Sequence, residues 1–165
     1  MKKVLFALKD YIIIFVVVIL VRTFLVTPAL VQGSSMDDTL ASKQLVLINK
    51  IVYKVDDIKR FDIVVVTNEI NKDKIIKRVI GLPNETIEYR DNNLYINGEL
   101  VETNIKFKDT DDFIATTQDN EYFVMGDNRP VSKDSRMLGN FTKNDIVGRV
   151  RIRLFPFDKF GKIDK

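Results

Sequence analysis

IVGRVRIRL (Ile146–Leu154) places Ile146, Val150, Ile152 and Leu154 on one face of an extended chain and Arg149, Arg151 and Arg153 on the other. Successive side chains of a strand point to opposite faces, so this period of two predicts a half-buried β-strand. The same signature recurs upstream. QLVLINK (Gln44–Lys50), DIVVVT (Asp62–Thr67), KIIKRVIG (Lys74–Gly81), ETIEYR (Glu85–Arg90), NLYING (Asn93–Gly98) and EYFVMG (Glu121–Gly126) are short runs rich in β-branched or aromatic residues, as strands require.

Between these runs lie turn signals. RDNN (Arg90–Asn93) and Asn97-Gly98 tolerate the positive φ of tight hairpins, so residues 85–101 predict a β-meander. The polar segment Lys108–Asn120, with DTDD (Asp109–Asp112), reads as a loop: its acids are bunched without the glycine-turned spacing of a calcium site.

The N-terminus follows a different pattern. YIIIFVVVILV (Tyr11–Val21) carries no charge, and extension through Val4–Leu8 and Thr23–Val26 gives about a bilayer's length. Lys9 and Arg22 can snorkel to headgroups, and Asp10 sits beside Lys9 at the rim. Thr27-Pro28 breaks the helix. Lys2, Lys3 and Lys9 precede the apolar run, which puts the N-terminus in the cytoplasm and the rest outside. A cleavable signal peptide shares the basic start and apolar middle, but no small-x-small pattern appears near TPALVQG (Thr27–Gly33), so a retained anchor is expected. The expected fold is therefore mainly β: a single N-terminal transmembrane helix (residues 1–26, with the cytoplasmic tip) followed by an extracytoplasmic antiparallel β domain (27–165).

Composition narrows the chemistry. The chain of 165 residues allows one modest domain plus an appendage. It holds no histidine and no cysteine, which removes Ser-His-Asp and Cys-His triads, disulfides, and zinc sites built from imidazole or thiolate. The net charge of +3 resides in residues 1–26, leaving 22 basic and 22 acidic residues in the remainder. No concentrated positive field exists there, so nucleic acid is not an expected partner.

A serine nucleophile without histidine needs another base, and the available one is a lysine held neutral by desolvation. Lys77 lies on an otherwise apolar strand, alternating with Ile75 and Val79, while Arg78 alternates with Ile76 and Ile80. Periodicity leaves open which cation points inward, and a surface lysine is the plain alternative. Chemistry distinguishes them, because arginine does not deprotonate in proteins and lysine can be tuned to act as a base. GDNRPVSKDSRMLG (Gly126–Gly139) follows an apolar strand and is dense in hydrogen-bonding groups; it could orient a site or form only a network of Asx-type turns and Asp-Arg pairs.

Together GSSMDDTL (Gly33–Leu40), FDIVVV (Phe61–Val66), KRVIGLPNE (Lys77–Glu85) and the Gly126–Gly139 loop resemble, in this order, the motif boxes of type I bacterial signal peptidases. These are membrane-bound Ser-Lys endopeptidases that release exported proteins from their signal peptides. The resemblance covers about residues 5–155. It implies Ser35 as nucleophile, Lys77 as general base, Met36 in the binding-site wall, and Ser132 as the hydroxyl that orients the lysine amine. It further implies a supporting Asp134–Arg136 ion pair, with Gly126, Asp127, Asn128 and Arg129 shaping the loop. Gly33 is similar to the Gram-positive form, which lacks a side-chain oxyanion donor there, so the oxyanion would rely on the Ser35 N–H.

Two departures stand out. Asp38 replaces the usual proline, which would loosen the turn after Ser35 and add a charge, and Asn84 stands where glycine is common. The implied fold is an antiparallel β structure at the membrane surface, needing no metal or organic cofactor. Its implied partners are signal-peptide-bearing preproteins and the lipid bilayer, and a monomer is expected. The alternatives are a specialised peptidase for pilin-type or other dedicated substrates, and a catalytically silent membrane-tethered binding domain.

Overall fold

The computed structural model describes residues 2–20, 25–67 and 72–163. In chain order these form helix α1 (Lys2–Leu20), strands β1 (Val26–Leu30) and β2 (Leu45–Asn49), a short helix α2 (Val52–Val55), and strands β3 (Ile63–Thr67) and β4 (Lys74–Gly81). There follow β5 (Thr86–Arg90), β6 (Asn93–Ile96), β7 (Glu99–Leu100), β8 (Phe113–Thr116) and β9 (Glu121–Met125). Helix α3 (Ser135–Leu138), β10 (Phe141–Thr142), β11 (Ile146–Phe155) and β12 (Gly161–Lys162) complete the chain. Among the described residues the strands make two antiparallel sheets: an eight-stranded one in the order β1-β2-β11-β3-β4-β9-β10, with β12 on β11, and a four-stranded one in the order β7-β6-β5-β8.

β3 explains why DIVVVT lacks alternation. Ile63 and Val65 pack with Val31, Met36, Leu40, Val46, Ile48 and Val150. Val64 and Val66 pack with Val52, Tyr53, Ile58, Val79, Val124 and Phe141. A strand buried on both faces reads as a continuous apolar run, and full burial of each such side chain contributes about 1.5–3 kcal/mol. A third core joins the sheets: Ile80, Phe123 and Met125 pack against Ile87, Tyr89, Leu94 and Ile96.

The predicted strands are present within these boundaries, and the meander over 85–101 corresponds to β5, β6 and β7. The single arginine face expected on β11 does not form. The strand register shifts between Ile146 and Gly148, between Val150 and Ile152, and between Arg153 and Phe155. Each bulge adds an unpaired residue and breaks the simple alternation. Arg149 therefore lies near Asp62 (3.6 Å) and Asp56 (3.7 Å), whereas Arg153 Nη2 donates to Thr39 O at 2.7 Å. Ile152, expected inside, is 39% exposed.

Two further expectations change. The segment read as a loop over Lys108–Asn120 contains β8, which pairs with β5; Phe113 stacks between Tyr89 (5.4 Å) and Phe123 (5.6 Å). The neighbouring aspartates mask this short strand in the sequence. Thr27-Pro28 lies inside β1, an edge strand, where a residue without an N–H costs no ladder bond.

Among the described residues no helix is long and apolar enough to cross a membrane. α1 carries Lys9 and Asp10 at mid-length, and its charge-free stretch Tyr11–Leu20 rises only about 15 Å, half the hydrocarbon thickness. The expected continuation through Val21, Arg22, Thr23 and Phe24 lies outside the described residues, and Val26 already belongs to β1.

Candidate active site

Ser35 sits in a tight turn between β1 and β2. Gly33 takes φ +83°, a conformation open to glycine, and reverses the chain. Asp37 N–H donates to Ser34 O at 3.1 Å, and Thr39 and Leu40 N–H both donate to Met36 O, at 3.1 and 2.7 Å. Met36 and Leu40 are buried in the core beside β3, so the turn is anchored by two apolar side chains spaced one helical turn apart.

Lys77 comes from β4, opposite Val64. Its side chain is 3% exposed, and Nζ lies in hydrogen-bonding contact with Ser35 Oγ at 2.7 Å while donating to Ile76 O at 3.1 Å. Burial pushes the amine down to about 8 from 10.5, against the opposing pull of the Asp134 and Asp127 carboxylates. β9 pairs with β4 only from Arg78 onward, so along Lys74–Lys77 the strand edge on that side has no ladder partner among the described residues.

Arg78 is also buried, which answers the question periodicity left open: Lys77 and Arg78 both point into protein, while Lys74 at the start of β4 is exposed. Its guanidinium meets Asp127 with two bonds (Nε 2.8 Å, Nη2 2.7 Å) and also donates to Phe61 O at 3.0 Å and Thr39 Oγ1 at 3.2 Å. Thr39 Oγ1 in turn donates to Asp127 Oδ2 at 2.5 Å. A permanently charged side chain requires this full set of acceptors, while a lysine can give up its proton instead. The network ties the Ser35 turn, β4 and the 126–139 loop together. Arg78 and Thr39 were missed as site residues; the available signal was an arginine inside an apolar strand, which demands a carboxylate partner.

The loop does what its composition suggested, with one exception. Gly126 packs so closely on Ser35 O and Ser132 Oγ that a Cβ there would clash with both. Gly126 N–H donates to Asp134 Oδ2 at 3.1 Å, and Asp134 caps α3 through Arg136 N–H (3.3 Å). The expected Asp134–Arg136 ion pair is present, with both guanidinium contacts at 2.9 Å, and Arg136 Nη2 also donates to Arg129 O at 2.7 Å. Asn128 donates from its backbone to Ser35 O (3.1 Å) and from Nδ2 to Ser34 O (3.0 Å).

Arg129 turns away from the dyad. It lies over the rings of Phe107 (4.1 Å) and Tyr89 (4.8 Å) and donates to Thr110 Oγ1 at 3.0 Å, fixing the loop to the smaller sheet. The exception is Ser132: its Oγ is buried beside Gly126 without a hydrogen-bond partner among the described residues, so the expected bond to the lysine amine is not formed.

Ser35, Met36 and Lys77 line one cavity of about 330 Å³ whose walls include Ala29, Val31 and Ile76. Of the two departures, Asn84 adopts φ +61°, as its side chain permits. Asp38 adopts φ +81°, a value closed to proline, and its carboxylate lies 3.2 Å from Lys108 Nζ.

The site thus sets a buried lysine amine against a serine hydroxyl in an antiparallel β scaffold. The family model for signal peptidase, peptidase S26, matches residues 5–155. The chain is 42% identical to signal peptidase I P of Bacillus subtilis subsp. natto, over 92% of this chain and 89% of that one. It is 37% identical to signal peptidase IB of Staphylococcus aureus, over 88% and 86% of the two chains. A crystal structure of a signal peptidase I from Enterococcus faecalis V583 aligns with a TM-score of 0.52 at 36% identity, covering 58% of this chain and 97% of that one. The chain belongs to the signal peptidase family, peptidase S26.

Proposed function

We propose that this protein is a serine endopeptidase that cleaves N-terminal signal peptides from exported preproteins through a Ser35/Lys77 dyad. The observation that carries the reading is the 2.7 Å contact between Lys77 Nζ and Ser35 Oγ, with the amine buried and its proton affinity lowered.

Neutral Lys77 accepts the Ser35 proton as Oγ attacks the scissile carbonyl. The tetrahedral intermediate collapses by breaking the C–N bond, the lysine proton passes to the leaving amine, and an ester remains on Ser35. Lys77 next takes a proton from water, the resulting hydroxide attacks the ester, and Ser35 leaves with the proton returned by the lysine. Met36, Ala29, Val31 and Ile76 offer a shallow apolar wall suited to small side chains. An extended substrate can add to the free edge of Lys74–Lys77. Ser132 makes no hydrogen bond to the lysine here, its Oγ lying unpaired beside Gly126 among the described residues.

The bilayer reading rests on α1. Leu8 and Tyr11–Leu20 are exposed all round the helix, and an exposed helical stretch that is apolar on every face, as Tyr11–Leu20 is, calls for an apolar solvent. In this reading residues 1–26 anchor the enzyme in the cell membrane with the N-terminus cytoplasmic, and 27–165 form the extracytoplasmic catalytic domain. The preprotein's cleavage region then emerges beside Ser35.

The test is cleavage of a signal-bearing preprotein by the detergent-solubilised protein, with the new N-terminus mapped. Ser35→Ala and Lys77→Ala are expected to abolish cleavage; retention of cleavage by either variant overturns the dyad.

A further inference from the structure

Asn128 touches the nucleophile turn twice. Its backbone N–H donates to Ser35 O at 3.1 Å and its side-chain Nδ2 donates to Ser34 O at 3.0 Å. These carbonyls belong to successive peptide planes, so one loop residue holds the backbone on both sides of the Ser35 side chain. Ser34 O also accepts from Asp37 N–H at 3.1 Å, which occupies both of its lone pairs.

A peptide unit is planar and rigid. Fixing the Ser34 carbonyl therefore fixes the direction of the Ser35 N–H at the opposite end of the same unit. That N–H donates to no acceptor among the described residues, and position 33 is a glycine without a side-chain donor. We infer that Asn128 is a positioning residue for the oxyanion hole: its side-chain amide sets and polarises the Ser34–Ser35 peptide so that the Ser35 N–H meets the charge developing on the scissile carbonyl oxygen. The inference rests on Ser35 being the nucleophile.

Two physical effects act together. Orientation is fixed before the charge appears, so no reorganisation is needed during reaction. A hydrogen bond accepted by the carbonyl also strengthens the N–H donor of that unit, by roughly 10–30%. The backbone bond to Ser35 O survives substitution at 128, so side-chain variants isolate the bond to Ser34 O.

The experiment compares wild type with Asn128→Ala and the isosteric Asn128→Asp, as full-length protein in detergent. The probes are a signal-cleavage peptide, its product, and the matching peptide aldehyde, which forms a tetrahedral adduct on Ser35. Losing an oxyanion donor outright costs a hundred- to a thousand-fold, and misaiming it is expected to lower kcat by roughly ten- to a hundred-fold. KM and product affinity stay unchanged, and aldehyde affinity falls by the same factor as kcat. Asn128→Asp, which sets an acceptor against Ser34 O, loses at least as much as Asn128→Ala. In Asn128→Ala, which adds no charge, the pH midpoint of kcat set by Lys77 does not move.

Wild-type kcat in Asn128→Asp, a loss expressed in KM and product binding, unchanged aldehyde affinity, or a shifted pH midpoint in Asn128→Ala each overturns the inference. Should Asn128→Ala fail to fold, the isosteric variant decides on kcat, KM, product binding and aldehyde affinity. Cleavage that ends in Ser35→Ala but persists fully in Asn128→Asp removes this role and leaves the dyad standing.

Discussion

Lys77 and Arg78 are consecutive residues of one strand, and both are buried, yet Arg78 meets a carboxylate with two bonds while the Lys77 amine meets a hydroxyl. Adjacent strand residues normally face opposite ways. Here the two sides lead to different polar environments, one completed by Asp127 and Thr39, the other by Ser35. The arrangement stores one cation in charged form and leaves its neighbour free to lose a proton.

The Lys77 amine titrates near 8 in the folded protein against 10.5 when free. Its neutral fraction rises through that value, so kcat/KM is expected to climb with pH and level off above about 8, read from a pH–rate profile. Lys77→Arg, which cannot deprotonate, should remove the rise together with the activity. The folded state binds fewer protons than the unfolded state between about 8 and 10.5, so this group adds stability as pH increases across that window. Below it the cost of burying the charge is fully present. Lys77→Met is therefore expected to melt higher than wild type at pH 7, with the advantage shrinking above pH 8.

Asp127→Ala strands the buried Arg78 charge and should cost about 3–5 kcal/mol in a denaturant titration. The double variant Asp127→Ala/Arg78→Met is expected to recover most of that loss. A double variant no more stable than Asp127→Ala would show that the ion pair is not what the strand requires.

Gly126→Ala places a methyl group against Ser35 O and Ser132 Oγ. Stability should fall by about 1–3 kcal/mol, and acylation should fall much further because the nucleophile backbone must move. Gly126→Ala/Ser132→Gly relieves only the serine clash, so it should regain stability without regaining rate. Single-turnover kinetics beside melting curves separate the two.

Asp38 occupies φ +81°. Asp38→Pro, the residue usual at this position in the family pattern, cannot take that conformation and should destabilise by about 3 kcal/mol. Asp38→Asn keeps the backbone and loses only the half-exposed pair with Lys108, a change expected to stay below about 1 kcal/mol and to vanish at high salt. Equal stability of the two variants would mean that this turn is not held as described.

Much of the site was legible because the chemistry narrows the choices. With no histidine or cysteine, a serine hydroxyl has few bases, and Lys77 in KIIKRVIG was a candidate whose inward orientation periodicity left open. The Asp134–Arg136 pair, implied by the resemblance, joins residues two apart in one short loop, whereas the close approach of Gly126 to Ser35 O spans distant parts of the chain and left no local signal. Ser132 illustrates the limit: the resemblance implied a hydroxyl that orients the lysine amine, but its Oγ lies buried beside Gly126 without a hydrogen-bond partner among the described residues, a rotamer set by packing.

The amino-acid order alone determined the β character of the chain, the apolar N-terminal helix and the hairpin turns, since strand period and turn residues are properties of short windows, whereas Ser35 and Lys77 were singled out by the resemblance of whole motif boxes. Only the tertiary structure decided that Lys77 and Arg78 are both buried, that Asp127 and Thr39 claim Arg78, that bulges scatter the arginines of β11, and that Asn128 grips the Ser34 and Ser35 carbonyls. Those outcomes depend on pairing register and on contacts between residues far apart in the chain, where a single inserted residue reverses which side faces inward and no local pattern records the choice.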